Sequence, residues 1–140
     1  MSVNVSVRLD DDLAERLRLR SKVAGESLSD RLRRYAEEGA RRDDHPLVTF
    51  RDGPSGRRAG IVGGPDIWEI SLWLEEIASA DSPDRTDSPD RSHNADELVA
   101  DGVVTRAEVD AAIAYAAAFP DEIAARLELH RYESGLAATR

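Results

Sequence analysis

The chain contains no cysteine, which removes a disulfide framework, a thiolate zinc site and a cysteine nucleophile together and leaves no tie to an oxidising compartment. Long apolar runs are missing too. The longest, residues 111–119, is alanine-rich and far below the roughly 18 to 20 apolar residues that span a bilayer, so no membrane partner is expected. Met1-Ser2-Val3-Asn4-Val5 lacks the basic-then-apolar order of a secretory leader. The first residues are therefore expected to belong to the fold, and the protein to be cytoplasmic. The histidines His45, His93 and His130 lie far apart without metal-binding spacing, so surface or capping positions are expected, and neither a metal nor another cofactor. Carboxylates are abundant but sit in charge-rich stretches rather than in apolar ones that would raise a pKa for acid–base work, and no catalytic residue is expected. Positive charge is scarce: 19 Lys and Arg against 28 Asp and Glu give a net charge of -9, which argues against coating nucleic acid through bulk charge.

The 140 residues allow one domain or two small ones. The charge is not spread evenly. Residues 1–42 hold ten Lys or Arg and eight Asp or Glu, a net of +2, which leaves nine against 20, or -11, for residues 43–140. The asymmetry suggests a nucleic-acid-facing module joined to an acidic one that faces something else, such as a basic protein.

Val3, Val5, Val7 and Leu9 alternate with Asn4, Ser6 and Arg8, the period of a half-buried strand. Asp10-Asp11-Asp12 then supplies an N-cap and first-turn acids for a helix carrying Leu13 and Leu17, which Gly25 stops. A second helix starts at Ser27 or Ser29, carries Leu28, Leu32, Tyr35 and Ala36 on one face, and is expected to end near Gly39. Arg31, Arg33, Arg34, Arg41 and Arg42 are expected on solvated helix faces. A lone strand is a liability and about 42 residues rarely fold unaided. Pairing two copies of Val3–Leu9 antiparallel answers both problems, burying the valines against four helices and exposing Asn4, Ser6 and Arg8 on a two-stranded ribbon.

Residues 2–42 resemble the ribbon-helix-helix family of DNA-binding proteins. The resemblance rests on Val3-Asn4-Val5-Ser6-Val7-Arg8-Leu9 followed by Asp10, on the Gly25-Glu26-Ser27-Leu28-Ser29 turn, and on the apolar spacing of the second helix. It implies a homodimer formed through the N-terminal strand, whose ribbon enters the major groove of double-stranded operator DNA with Asn4, Ser6 and Arg8 reading base edges. Their chemistry suits base reading, since an Arg fork matches guanine, an Asn amide matches adenine, and a Ser hydroxyl donates or accepts. Ser27 and Ser29 are candidates for phosphate contact at a helix N-terminus, and are equally ordinary capping residues.

Residues 43–46, ending in His45-Pro46, read as a linker before an acidic domain over 47–140. Leu47–Phe50 and Ala59–Val62 flank Asp52-Gly53-Pro54-Ser55-Gly56, a short hairpin; the glycines match neither phosphate-loop spacing and read as turns. Ile67, Ile70, Leu74 and Ile77 form a helical stripe, with Trp68 and Trp73 beside it. Asp81–Thr86 is repeated almost unchanged as Asp87–Ser92, and a flexible loop is expected over 81–94. Beyond it come a helix over Ala95–Asp101, a turn at Gly102, a capping box at Thr105-Arg106-Ala107-Glu108 opening a helix whose inner face is Val109, Ile113 and Ala116, and a last helix from Pro120 with Ile123, Leu127 and Leu129 inward. Helix, glycine turn, helix is the DNA-binding helix-turn-helix pattern, but Glu108 and Asp110 would repel phosphate, so a protein-facing or structural role is expected. The fold class expected for the whole chain is mainly α with short β: a ribbon-helix-helix dimerisation module, then a β-hairpin and a small helix-turn-helix-like domain.

The second module resembles a small helical domain family that includes antitoxins paired with PIN-like ribonuclease toxins, on Gly56–Gly60, Gly63-Gly64-Pro65-Asp66-Ile67-Trp68-Glu69, Ala111–Ala116 and Phe119–Ile123. The resemblance implies an antitoxin of a type II toxin–antitoxin system, repressing its own operator and neutralising the toxin. Trp68, Trp73, Tyr115 and Phe119 are candidates for the toxin surface, although such residues are more often core than interface. The alternative is a stand-alone ribbon-helix-helix repressor whose C-terminal domain senses a ligand or adds dimer contacts.

Overall fold

A computed structural model of the chain describes residues 1–80 and 91–138, of which 91–93 are described by their backbone alone. The described part is mainly helical with one small antiparallel sheet. It divides into two compact units, Met1–Arg41 and Arg42–Arg140.

In the first unit, residues 1–10 have no regular secondary structure within the single chain. A strand needs a neighbour for its ladder, and both strands of the one described sheet lie within residues 48–61 and pair with each other. Helix α1 (Asp11–Ala24) begins as its sequence implies: the Asp10 carboxylate accepts from the Leu13 N–H at 2.8 Å. It ends on Gly25 at φ +68°, where the Gly25 and Glu26 N–H groups donate back to the Lys22 and Ser21 carbonyls. Ser27 then accepts from the Asp30 N–H at 3.0 Å and opens α2 (Leu28–Asp44).

Helix α2 does not stop near Gly39 but continues to Asp44, so Asp43 and Asp44 of the expected linker are helical. An interior glycine costs only about 1 kcal/mol relative to alanine. That is too little to end a helix that continues through the Glu37–Arg41 ion pair and meets its barrier at Pro46. A Cβ at Gly39 would meet nothing within 4 Å. Gly39→Ala is therefore expected to stabilise the protein by about 0.5–1 kcal/mol, read as a raised midpoint in thermal unfolding.

Burial in this unit is meagre. Leu17 is its one buried apolar residue among those described, accompanied by Ser21 and, unexpectedly, Arg31. Arg31 is no solvated side chain. Its Nε donates to Ser21 Oγ at 3.0 Å, and its two terminal nitrogens reach the Tyr35 hydroxyl, the Arg20 carbonyl and the Glu26 carboxylate. Arg34, half-buried, takes the other Glu26 oxygen, and Arg41 is also half-buried, whereas Arg33 and Arg42 are exposed as expected.

The second unit opens with the hairpin, β1 (Val48–Arg51) and β2 (Arg58–Ile61), in register from Val48↔Ile61 to Arg51↔Arg58. Its tip is closed by reciprocal hydrogen bonds between Gly53 and Gly56, and is held from the far end of the chain by Arg126. That side chain donates to the Ser55 carbonyl at 2.8 Å and the Arg57 carbonyl at 2.5 Å. Helix α3 (Ile67–Ala80) packs against β2 and against α4 (Arg91–Ala100), α5 (Arg106–Ala118) and α6 (Pro120–Ala138). Val48, Ile61, Ile67, Ile70, Val109 and Tyr115 form the fully enclosed centre.

Four local expectations change here. Of the loop expected over 81–94, residues 81–90 lie outside the described residues, but Arg91–Asn94 are helical; Asn94, Ala95 and Leu98 are buried together, which draws the helix start forward. Thr105 and Glu108 do form the capping box, yet α5 turns Val109, Ala112 and Tyr115 inward and leaves Ile113 and Ala116 half-buried. On α6, Ile123 and Leu127 are buried as expected but Leu129 is exposed, because the next inward position is His130, whose ring lies 5.1 Å from that of Trp68. His45 is not a surface residue either: its ring meets Tyr115 edge-on at 5.3 Å and Phe119 at 6.1 Å. Among the described residues no helix is long and apolar enough to cross a membrane.

Candidate nucleic-acid interface

The segment before α1 is exposed throughout residues 1–8. Asn4, Ser6 and Arg8 are exposed, as base-reading side chains must be. Val3, Val5 and Val7 are exposed as well, at 84%, 80% and 73%, although valines in this alternation belong against a core. Only Leu9, where the segment joins α1, is half-buried. The apolar row is thus bare in the single chain, and Leu19 and Val23 on α1 add further uncovered apolar surface in the same unit.

At the start of α2 both serines are exposed. Ser27 accepts the Asp30 N–H in the cap, and a side-chain hydrogen bond from its hydroxyl to the Asp30 carboxyl, followed by that from Arg33, holds that carboxyl below the ordinary carboxylate range. The Ser27 cap fixes the helix terminus, and Ser29 is the second residue of α2. Glu26 lies in the turn just before Ser27, and its charge is taken up by Arg31 and Arg34.

The four aromatic candidates for a partner surface do not form one patch. Tyr115 is wholly enclosed, donates to Glu122 at 3.1 Å and stacks on Phe119 with ring centroids 4.7 Å apart. It is a core residue. Phe119, Trp68 and Trp73 are half-buried around the same core. Trp68 belongs to a separate arrangement, its indole N–H donating to Asp66 at 3.3 Å beside the His130 ring.

That Asp66 is the centre of a cluster that sequence reasoning missed. Its buried carboxylate is clasped by Arg51 at 3.0 Å and by Arg58 in a shorter ion pair, while its backbone N–H donates to Glu69. Arg51 also donates to the Gly64 carbonyl at 2.8 Å. Two glycines make room: a Cβ on Gly60 would overlap the Arg51 guanidinium, and one on Gly53 that of Arg58. One signal was available in principle, since the hairpin register sets Arg51 opposite Arg58, and like charges in that position call for a carboxylate between them. Gly60→Ala should accordingly drive Arg51 off Asp66 and cost about 1–3 kcal/mol, the opposite sign to Gly39→Ala in the same thermal assay.

Among the described residues no three His, Asp or Glu side chains converge as a metal site would require. Comparison of the chain with family models, with curated proteins and with solved structures returns no match.

Proposed function

We propose that the chain is a dimeric operator-binding antitoxin: its N-terminal unit reads DNA through a ribbon made by two copies, and its acidic unit binds and masks a basic ribonuclease of the PIN-like kind. The observation that carries the first half is the bare valine row. Three valines at 84%, 80% and 73% exposure alternate with Asn4, Ser6 and Arg8, directly ahead of a helix pair with a single buried apolar side chain. A second copy laid antiparallel along residues 3–9 supplies the missing ladder and cover, and leaves three readers per chain facing out. A two-stranded ribbon of this size suits the major groove. Support for the second half is the charge of -11 that residues 43–140 carry, which attracts a protein with a basic nucleic-acid cleft.

The test of the first half uses DNA from upstream of the chain's own reading frame in a gel-shift titration. Arg8→Ala is expected to weaken binding by roughly 1–3 kcal/mol and to relax base preference while the protein sediments as before. Unchanged affinity would remove the ribbon from DNA reading. Wild-type binding should also fall steeply with salt, as phosphate contacts require. For the second half, the product of the adjacent reading frame is co-expressed: loss of its toxicity and co-purification with the chain are expected, and failure of both defeats the antitoxin reading.

A further inference from the structure

Asn94 is only 7% exposed, yet its carboxamide has no hydrogen-bond partner among the described residues. The other buried polar side chains described, those of Ser21, Arg31 and Asp66, are all engaged. Local structure does not call for an asparagine here. It is the fourth residue of α4, too far in to cap the helix, and asparagine is a weak helix former. A buried amide without a partner is destabilising, and such groups are rare in folded proteins.

Asn94 lines a groove of about 540 Å³ bounded by α3, α5 and α6, inside the roughly 300–1,000 Å³ range of small-molecule sites. The walls are aliphatic: Ile123 and Leu127 are buried, Leu74 and Ile113 half-buried, and no aromatic ring is among the described lining residues. Two other polar residues line the groove, and both are engaged. Ser71 donates to the Ile67 carbonyl at 3.1 Å, and Glu75 is ion-paired across to Arg131 on α6 at 2.6 Å. Asn94 is therefore the one polar lining residue left without a partner among those described.

These features specify a ligand. An anion is disfavoured beside Glu75 in a unit of charge -11, and a cation finds Glu75 already neutralised by Arg131. A neutral molecule remains. The Asn94 side chain offers a carbonyl acceptor and N–H donors side by side, and a second carboxamide answers both at once. We infer that the groove binds a small neutral aliphatic ligand ending in a carboxamide, whose chain lies along Leu74, Ile113, Ile123 and Leu127 and whose head bonds to Asn94. This site stands apart from both halves of the proposed function.

The full chain is titrated by isothermal calorimetry with octanamide, sodium octanoate and octylammonium chloride, which share one chain and differ in the head. Octanamide is expected to bind one to one and at least about tenfold more tightly than either ion. Asn94→Leu, which keeps the bulk and removes the polar head, should erase that preference. Ala124→Trp, which fills the groove from an exposed lining position, should abolish octanamide binding altogether. Asn94→Leu should also raise the thermal midpoint of the free chain, by at least about 4 °C, because an unpaired amide gives way to an apolar group. A lowered midpoint, or a variant that does not fold, would mean that the carboxamide supports the fold and would overturn the inference. Equal binding of the three probes, no octanamide binding at millimolar concentration, or octanamide binding unchanged in both variants overturns it as well.

Discussion

Val5→Asp is expected to abolish the proposed dimer and, with it, the proposed operator binding. In the proposed ribbon Val5 is the central valine of each strand, and both copies lie close together beneath the four helices. Burying one valine is worth about 1.5–3 kcal/mol, and a carboxylate in its place adds a desolvation cost that is met twice in a symmetric dimer. The single chain offers no substitute contacts, since Val5 is 80% exposed there and Leu17 is the unit's one buried apolar residue among those described. Sedimentation should therefore show a monomer, the gel shift should be lost at every concentration tested, and helical circular dichroism from the first unit should decline. A variant that remains a DNA-binding dimer would show that the valine row is not the interface. Val5→Ile, which keeps the apolar row, should leave the dimer in place.

The second large effect is expected from Arg31→Met. The Arg31 side chain is 10% exposed and its Glu26 partner 19%, so the pair is largely removed from water. Methionine retains the packing but strands the Glu26 carboxylate on Arg34 alone and leaves the Ser21 hydroxyl and the Arg20 carbonyl without their donor. Removing one partner of a buried pair costs about 3–5 kcal/mol, and the remaining Arg34 contact places this case near the lower end. Denaturant unfolding of the full chain measures it. Tyr35 supplies a local signature: the hydrogen bond from Arg31 holds its phenol below the ordinary tyrosine range. Because that pKa is lowered in the folded state, its contribution to stability is absent at neutral pH and appears only as pH rises through the alkaline range where the phenol ionises. In Arg31→Met the phenol should titrate at a higher pH, as followed by its ultraviolet absorbance.

What could be read in advance depended on how far a residue's partners lie along the chain. Asp10 and Leu13, Gly25 and Lys22, Ser27 and Asp30, Thr105 and Glu108 are each three residues apart, and their caps follow from short-range rules. The hairpin followed from a Gly/Pro turn between two apolar runs. Arg31 did not, because its contacts come from Ser21, Arg20 and Glu26, across a turn whose geometry has to exist first. Asp66 depends on a strand register that brings Arg51 and Arg58 side by side, and of its two seating glycines Gly53 belongs to the hairpin turn and Gly60 to a strand, so no local rule links them. The α5 face was misplaced by one position because a run of alanines has little apolar contrast. The alternation at Val3–Leu9 is plain in the chain, but what it packs against belongs to another molecule under the proposed reading.

Arg126 also bears on the order in which the second unit comes together. Its bonds to the Ser55 and Arg57 carbonyls span 71 and 69 positions along the chain, whereas the hairpin's own ladder spans at most 13, from Val48 to Ile61. Loop-closure entropy grows with length, and a chain emerging from the ribosome exposes residue 126 long after the hairpin. The two strands can pair early, but the tip gains its tether only when the last helix arrives. Synthesis halted before α6 would leave a hairpin that can pair and pack on α3 and α5 but whose glycine tip is untethered and open to proteolysis.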